Sequence, residues 1–480
     1  MIPTSRLSHQ TAYLLSSRVL NIVLALLSLV IVPRVLGPAG MGVYSYWLSI
    51  FHLLFLASDP GSLGIIARSV PVMRTQSPQT IYPLINRLFW VKLLLMLVLG
   101  VLIYTWQPVQ LKDYLLVLAA AGLYSMAALG AYLHYGLGQQ AAYGLFFCLN
   151  SLFRIVFICG GFYFMANMGI IYGLLLLGLA LFLVFTGLTI RQLDFSSARL
   201  RQPLSHYLRL GLLLHLSMIV FIFINRSVVL QAKYLNLPLE EIGMLGLAMT
   251  IAVFSLQMVT ASISESTLPA LVQYHEAGQQ QKFQRLLQLG WRYSNLLAFG
   301  LAGAVFLASD PWLVILTGER FATVVPLLRL LLAAMILLTW QEYFQRILIV
   351  FNQNLLLFAI QGSTAIFLWG LVLLTNQHGP VSLIWFYLAA ILLATVVLGI
   401  IAAFRTDLSW LLGSLLKAAT AAALPTAFLF YLKPATMLKS IAALGVYLAL
   451  FILLSLKLRL VSFEEFKNHF QAAKSETIVL

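Results

Sequence analysis

Several long apolar runs in this sequence are interrupted by arginine. Arg154 lies in the middle of the run 143–165, and Arg226 lies near the end of the run 210–232. A charge at the centre of a bilayer costs at least about 2.5–3.5 kcal/mol, so such residues usually face a bundle interior or an aqueous cavity. Guanidinium groups bind phosphate through paired, charge-assisted hydrogen bonds. These two arginines therefore predict a site for an anionic group, phosphate above all.

Other polar side chains recur at helical spacing in further apolar runs, which predicts that they share the lining of one cavity. The predicted substrate-binding residues are Arg18, Asn21, Asn150, Arg154, Asn225, Arg226, Gln257 and Glu265. Arg18 also has a second interpretation, because it lies near the end of its run. There, as for Lys92, the side chain can extend to the membrane interface.

Asp59 and His52 are the predicted coupling or gating residues. Asp59 precedes Pro60 in an interrupted helical pattern, where it serves equally well as a helix cap, a hinge element or a ligand contact. His52, His134 and His215 are unpaired by sequence, and each also fits a hydrogen-bonded interior histidine. Tyr124, Tyr132 and Tyr135 lie near one face of the run 115–137, where they could stack on sugars or belong to an interfacial aromatic belt.

Glu342 and Arg346 are four positions apart with the acid first, the favoured order for an ion pair on a helix. We predict a structural role for this pair. Cys148 and Cys159 lie in one apolar run, about 16 Å apart along a helix, which is too far for a disulfide.

Signatures of several chemistries are missing from the sequence. It contains no phosphate-binding G-x-x-x-x-G-K-[ST] loop, no H-E-x-x-H motif and no cysteine–histidine cluster. The expectation is therefore no bound metal, no cofactor and no enzyme, the last also because the predicted outer loops are too short for a catalytic domain.

Composition identifies the class of protein. Of 480 residues, 61% are hydrophobic and only 9% are charged, whereas soluble domains are roughly 45–50% apolar and about 25% charged. The chain is therefore expected to cross the membrane many times. The 29 basic residues exceed the 14 acidic ones, and we attribute this excess to cytoplasmic loops rather than to a nucleic-acid partner.

Apolar runs bounded by Pro, Gly and charge predict an all-α integral membrane protein with about fourteen transmembrane helices. The predicted spans are 13–35, 43–66, 88–105, 115–137, 143–165, 170–190, 210–232, 244–268, 293–315, 326–350, 355–375, 381–403, 413–432 and 440–456. Most basic residues then fall on the side of the N-terminus, so both termini are predicted to be cytoplasmic. The longest inner loops are expected at 68–87, 191–209 and 273–292.

Two halves of the chain resemble each other at an offset near 200 residues. Gly42 is followed by an apolar run as Gly243 is, and Pro71 and Arg87 have counterparts at Pro269 and Arg285. Six spans in each half give both halves the same orientation, which predicts a pseudo-twofold parallel repeat. The predicted division is an N-terminal six-helix bundle (1–190), a cytoplasmic linker (191–209), a C-terminal six-helix bundle (210–403), and two extra helices with a cytoplasmic tail (404–480).

Short motifs in order along the chain resemble one transporter family. They are Ser17-Arg18-Val19-Leu20, the stretch Pro33-Arg34-Val35-Leu36-Gly37-Pro38-Ala39-Gly40-Met41-Gly42-Val43-Tyr44-Ser45, Glu241-Ile242-Gly243, Leu268-Pro269-Ala270-Leu271, and Leu316-Thr317-Gly318 with Phe321. They are similar to polysaccharide transporters, the Wzx-type O-antigen flippases of the multidrug/oligosaccharidyl-lipid/polysaccharide (MOP) exporter superfamily.

This resemblance implies two six-helix bundles around a cavity that opens alternately to each side. It implies a flippase that moves undecaprenyl-diphosphate-linked oligosaccharide to the outer leaflet during cell-surface polysaccharide (lipopolysaccharide) synthesis. Location in the bacterial inner membrane, contact with membrane lipids, and polymerase and chain-length proteins as partners follow from the same resemblance. The alternatives are a cation-coupled multidrug exporter of the superfamily, and a membrane polymerase or ligase acting on lipid-linked sugars.

Overall fold

The computed structural model describes residues 4–106, 109–193, 203, 205, 212–375, 379–431 and 437–460, and these contain helices and no strand. Eleven of the described helical segments are long and apolar enough to cross a membrane. The α-helices, numbered here along the chain, are α1 (Thr4–Ala57), α2 (Ser62–Gln76), α3 (Ile81–Trp106), α4 (Leu111–Gly136), α5 (Gln140–Ile190), α6 (Leu212–Tyr234), α7 (Leu239–Ala252), α8 (Met258–Glu276), α9 (Gln280–Thr317), α10 (Val324–Val350), α11 (Asn354–Leu374), α12 (Pro380–Ala403), α13 (Leu411–Tyr431) and α14 (Met437–Lys457). The prediction of an all-α membrane protein is confirmed.

Helix α1 carries the first two predicted spans. It has 54 residues and would be about 81 Å long if straight, far more than a hydrocarbon core of about 30 Å. Its axis breaks at Gly37, where φ is 66° and ψ is 178°. Glycine adopts this conformation without steric penalty, and Pro38, the next residue, cannot donate the helical hydrogen bond.

Helix α5 carries the next such pair of spans and folds back on itself. The break lies at Met165 and Ala166, the second with φ of 48°. A Cβ on Gly161 would overlap the carbonyl oxygen of Gly169, and one on Gly173 would lie 2.5 Å from the carbonyl oxygen of Phe157. The two halves of α5 therefore form a hairpin that packs backbone against backbone.

Two predicted inner loops are mostly helical, which corrects the sequence interpretation. Between α2 and α3 only a short 3₁₀ turn, Pro78–Thr80, interrupts the helices, and α8 ends at Glu276 before α9 begins at Gln280. Charge marks the end of an apolar span but does not end a helix, since straight-chain polar residues such as Gln, Lys and Arg favour helix. The third predicted inner loop, 191–209, lies mostly outside the described residues.

The chain divides into two compact units, the first comprising Met1–Leu247 and Asn354–Leu383, and the second Ala248–Gln353 and Ile384–Leu480. This grouping by contacts assigns α6 and α11 to the first unit. The division at 190, 209 and 403 predicted from hydropathy follows spans rather than contacts, and it stays a prediction.

In the first unit, α2, α3 and α4 share an apolar core built around Ile65, Leu84, Leu88, Leu129 and Leu133. In the second unit, polar groups join neighbouring helices inside the apolar packing. Trp340 Nε1 donates to Asn295 Oδ1 at 2.7 Å, and the hydroxyl of Tyr447 donates to the carbonyl oxygen of Gly300 at 2.9 Å. Both cysteines are unpaired, as predicted.

The two repeat-equivalent glycines meet inside the first unit. A Cβ on Gly42 would overlap the carbonyl oxygen of Leu239, and a Cβ on Gly243 would overlap that of Pro38 and lie 2.8 Å from the backbone nitrogen of Gly42. The backbones of α1 and α7 thus touch where each lacks a side chain. We call this contact the glycine seam.

Candidate functional site

The second half of α1 carries the polar residues around which the candidate site is built. Tyr44 and His52 are two helical turns, or about 12 Å, apart on it, and Asp59 lies two turns further on, in the break between α1 and α2. The interval of eight residues brings Tyr44 and His52 to neighbouring positions on one side of α1, and Asp59 follows just after the end of the helix. Arg154 on α5 and Arg226 on α6 interact electrostatically with Tyr44 and His52. Lys92 on α3 and His215 on α6 interact electrostatically with Asp59.

Arg154 and Arg226 act on the same pair of α1 side chains. The guanidinium group of Arg154 donates a hydrogen bond to the buried hydroxyl of Tyr44, and both arginines interact electrostatically with Tyr44 and with His52. The Nε atom of Arg154 is buried and has no hydrogen-bond partner in the structure. Two positive groups thus act on one face of α1, and Arg154 keeps one buried donor without a partner. We call Tyr44, His52, Arg154 and Arg226 the arginine site.

The donor at His52 is fixed by the helix. Its Nδ1 donates to the carbonyl oxygen of Leu48 at 2.8 Å, so in the neutral imidazole Nε2 carries a lone pair.

Side chains next to Arg154 on α5 connect that helix with the first half of α1. The hydroxyl of Ser151 donates to Asn21 Oδ1 at 2.8 Å, and Cys148 Sγ donates to the carbonyl oxygen of Ser17 at 3.3 Å. Asn150 Oδ1 is buried and has no partner in the structure. The structure therefore places Asn21, Asn150 and Arg154 on two helices that contact each other. Their role in lining a substrate cavity stays a prediction.

The structure describes the remaining predicted lining residues only in part. Asn225 precedes Arg226 on α6. The side chains of Arg18, Gln257 and Glu265 lie outside the described residues, although the backbone of Gln257 belongs to a π-helical stretch, Val253–Gln257. A π-helical turn interrupts the regular hydrogen-bond pattern and often marks a functional part of a helix.

A buried ion pair connects α3 with the break between α1 and α2. Lys92 Nζ donates to Asp59 Oδ2 at 2.9 Å, and the two side chains are 0% and 6% exposed. The backbone N–H of Ser62 donates to Asp59 Oδ1 at 2.6 Å, and Lys92 lies 5.9 Å from the ring centroid of Tyr132. The predicted extension of Lys92 to the membrane interface is therefore wrong, because its ammonium group is buried against a carboxylate. Asp59 caps the first turn of α2.

His215 reaches the same region from α6. Its Nε2 donates to the carbonyl oxygen of Leu56 at 3.1 Å, and the ring interacts electrostatically with Asp59. His134, on α4, donates from Nδ1 to Gln139 Oε1. Both contacts agree with interior histidines that have hydrogen-bond partners.

Of two other predicted features, the tyrosines of α4 include one that packs in the core, and the ion pair on α10 stays a prediction. Tyr124 packs edge-on against Phe51 and Phe55, which accounts for one of the three tyrosines by core packing. Glu342 and Arg346 lie on α10 in the second unit, partly buried. Their mutual ion pair remains a prediction.

Sequence reasoning missed Tyr44, and it missed the link between Asp59 and Lys92. A signal existed for each. Tyr44 is two turns before His52 in a run predicted to be helical. Asp59 and Lys92 end and begin consecutive spans that run in opposite directions, so they lie at the same depth. Among the described residues no cluster of three or more His, Cys, Asp or Glu could hold a metal ion.

Comparisons with known proteins identify the fold. No protein-family model matches the chain, and no curated protein matches it. Among solved structures, the chain is similar to the lipid II flippase MurJ in an inward closed conformation, with a TM-score of 0.72 and 12% identity over 93% of this chain and 98% of that one. It is also similar to an inward-facing multidrug resistance MATE family transporter of the MOP superfamily, with a TM-score of 0.56 and 16% identity over 80% of this chain and 94% of that one. A third is the MATE multidrug transporter DinF-BH in complex with R6G, with a TM-score of 0.54 and 15% identity over 83% and 95% of the two chains.

These similarities show that the chain has the fold of MOP-superfamily transporters and flippases. At such low identity they show the fold alone. The chemistry of the site must decide between substrate classes.

Proposed function

We propose that this chain is a flippase that moves a polyprenyl-diphosphate-linked oligosaccharide from the inner to the outer leaflet by alternating access. The observation that carries the proposal is the pair Arg154 and Arg226, which share one face of α1 at Tyr44 and His52. A diphosphate cannot cross hydrocarbon unaided, since even one charge is costly there. Guanidinium donors replace the water around the phosphates while the polyprenyl tail stays in lipid.

The charge of the site distinguishes the two transporter classes. Two guanidinium groups attract an anionic head group and repel a cation, so the arginine site favours a lipid diphosphate over the cationic drugs of an exporter. Outward movement of negative charge across an inside-negative membrane is also favourable by about 2.3 kcal/mol per charge per 100 mV. The transporter fold supports a protein that moves its substrate and leaves it chemically unchanged.

The setting of this activity follows from the same proposal. We assign the protein to the bacterial inner membrane with both termini in the cytoplasm, as a Wzx-type member of O-antigen or related polysaccharide synthesis. Its partners are then the lipid-linked oligosaccharide, the surrounding lipids, and the polymerase and chain-length proteins that act on the delivered sugar.

Reconstitution into liposomes tests the proposal. The chain is expected to move a fluorescent polyprenyl-diphosphate oligosaccharide between leaflets, scored by its accessibility to a reagent outside the liposome, with its sugar length unchanged. A cationic dye loaded into parallel liposomes should not be exported. Dye export without lipid movement would instead identify a multidrug exporter, and a lengthened sugar would identify a polymerase.

A further inference from the structure

We propose that one face of α5 binds the sugars that lie next to the diphosphate of the transported lipid. This face consists of Tyr143, Phe147, Asn150 and Arg154, and we call it the α5 stripe. The proposal rests on the proposed function, because it starts from a phosphate group at Arg154. It adds which residues contact the saccharide, and all four belong to the first unit.

The α5 stripe lies on the side of its helix that faces away from lipid. Intervals of four, three and four residues place its four side chains along one side of α5. Exposed apolar residues repeat at similar intervals on the opposite side of the same helix, at Leu145, Leu152 and Val156. That opposite side is therefore the one that lipid covers.

Contacts with two other helices place the stripe inside the unit. Arg154 donates to the hydroxyl of Tyr44 on α1, and the ring centroid of Tyr143 lies 4.9 Å from that of Tyr135 on α4. Phe147 nonetheless exposes 37% of its surface. Because lipid covers the opposite side of α5, the exposed surface of Phe147 borders a space between helices of the unit.

The side chain of Asn150 has the chemistry to bind a sugar. It lies one turn before Arg154, and side chains at this spacing are about 5–6 Å apart at Cβ. Its Oδ1 is buried without a partner, whereas the neighbouring Ser151 donates to Asn21. A carboxamide oxygen only accepts hydrogen bonds, and so does an ionised phosphate oxygen. The group that satisfies Oδ1 is therefore a hydroxyl or an amide N–H, and the first sugar carries such groups beside the diphosphate.

The two aromatic residues continue the stripe beyond Asn150. The ring of Phe147 lies edge-on to that of Tyr143, with centroids 5.1 Å apart. The C–H face of a sugar ring is apolar and packs against such rings, while polar groups nearby fix its orientation. One helical turn advances about 5.4 Å, which is comparable to the length of one sugar ring. A head group along the stripe thus places its phosphate at Arg154, its first sugar at Asn150 and its second at Phe147.

Binding of three short-chain probes tests this order. The probes are farnesyl diphosphate and the same diphosphate carrying either one or two hexose units. Their dissociation constants are measured by isothermal titration calorimetry with the full chain in detergent. We expect the parent protein to bind all three, with an affinity that rises at each added hexose.

Each variant should affect a different subset of the probes. Asn150→Leu keeps the size of the side chain but removes its hydrogen-bonding groups, and should weaken binding of both hexose probes by about tenfold. Phe147→Ala should weaken binding of the two-hexose probe alone, by about fivefold. Arg154→Ala should weaken binding of all three probes alike. Unchanged binding of farnesyl diphosphate shows that the first two variants are folded.

Helix α11 provides matched controls. Asn354 also has a buried Oδ1 without a partner, and Phe367 is exposed to nearly the same extent as Phe147. Asn354→Leu and Phe367→Ala should bind all three probes like the parent protein.

The results distinguish failure of this proposal from failure of the proposed function. If Arg154→Ala weakens all three probes but the hexoses add no affinity in the parent protein, the α5 stripe does not bind sugar. The same conclusion follows if Asn150→Leu and Phe147→Ala keep the parent gain at each hexose. If the parent protein does not bind farnesyl diphosphate, or Arg154→Ala binds it equally well, the proposed function is wrong and the sugar site is excluded with it.

Discussion

At the scale of single residues, the arginine site carries the functional proposal. Arg154→Ala removes the donor to Tyr44, and Arg226→Ala removes the second positive group beside His52. We expect each change to abolish lipid movement in the liposome assay at unchanged protein level and membrane insertion. Arg154→Lys should restore part of the activity, because it keeps the charge but loses the planar fork.

A matched control is available in the second unit. Arg329 lies against Asp310 and over the ring of Phe306, 4.5 Å from its centroid, and Arg329→Ala also removes one guanidinium group. This variant should transport at the parent rate. If Arg154→Ala and Arg226→Ala do so as well, these arginines have a packing role and the proposed function loses its main support.

The buried ion pair makes a separate prediction about stability. Asp59→Ala leaves the ammonium group of Lys92 buried and unpaired, and removing one partner of a buried pair typically costs about 3–5 kcal/mol. The thermal unfolding midpoint in detergent should fall clearly, as it should for Lys92→Met. The double variant Asp59→Leu with Lys92→Met should recover most of the loss, because apolar replacement of a whole buried pair is often neutral. A double variant as unstable as the two single changes combined would contradict a simple ion pair.

These residues also show how far a sequence alone leads. The deep position of Arg154 and the isolation of Asp59 at a helix break were visible as polar residues in apolar runs. Their partners were harder to identify, because Tyr44 and Lys92 come from other parts of the chain and their signals are weak. Which side chains face each other across helices depends on rotation about each helix axis. An apolar run buried on most sides fixes that rotation poorly, since it has little periodicity.

At the scale of elements, the glycine seam has the clearest mechanical consequence. Gly42→Ala places a methyl group on the carbonyl oxygen of Leu239, and neither partner is a flexible side chain. The seam must separate, so spin labels on α1 and α7 should move apart, and Gly243→Ala should have the same effect. Gly122→Ala is the control, because a Cβ there meets nothing within 4 Å. Alanine also stabilises a helix relative to glycine by up to about 1 kcal/mol. An unchanged label distance in Gly42→Ala would show that this contact is looser than the structure has it.

The weak repeat in the sequence marked the two glycines of this seam as equivalent positions, but it did not predict that they are in contact. Gly42 and Gly243 stood out as equivalent positions entering equivalent spans, and the structure places them in backbone contact. Element boundaries were harder to predict. Apolar runs predicted the position of most spans. However, the end of α8 and the start of α9 extend through polar sequence to a turn at 277–279. Hydropathy measures where a helix suits lipid, and a helix continues for as long as its backbone hydrogen bonds do.

At the scale of the whole molecule, the remaining prediction is its orientation in the membrane. Basic residues concentrate on the side of the N-terminus when the predicted spans are counted in order, which predicts cytoplasmic termini. Two turns on opposite predicted sides provide the test. Glu240 is exposed at the start of α7, on the predicted outer side, and Gln279 is exposed between α8 and α9, on the predicted inner side.

Single cysteines at these two positions, in a background with Cys148 and Cys159 replaced by serine, should respond oppositely to a membrane-impermeant maleimide. Glu240→Cys should react in intact cells whose outer membrane has been opened, and Gln279→Cys should react only after the inner membrane is permeabilised. The physical reason is that moving a basic loop outward opposes both the membrane potential and the attraction of anionic lipids on the cytoplasmic face. Labelling of Gln279→Cys from outside would invert the whole topology. The proposed direction of lipid movement would then be inverted with it, while the arginine site would keep its geometry.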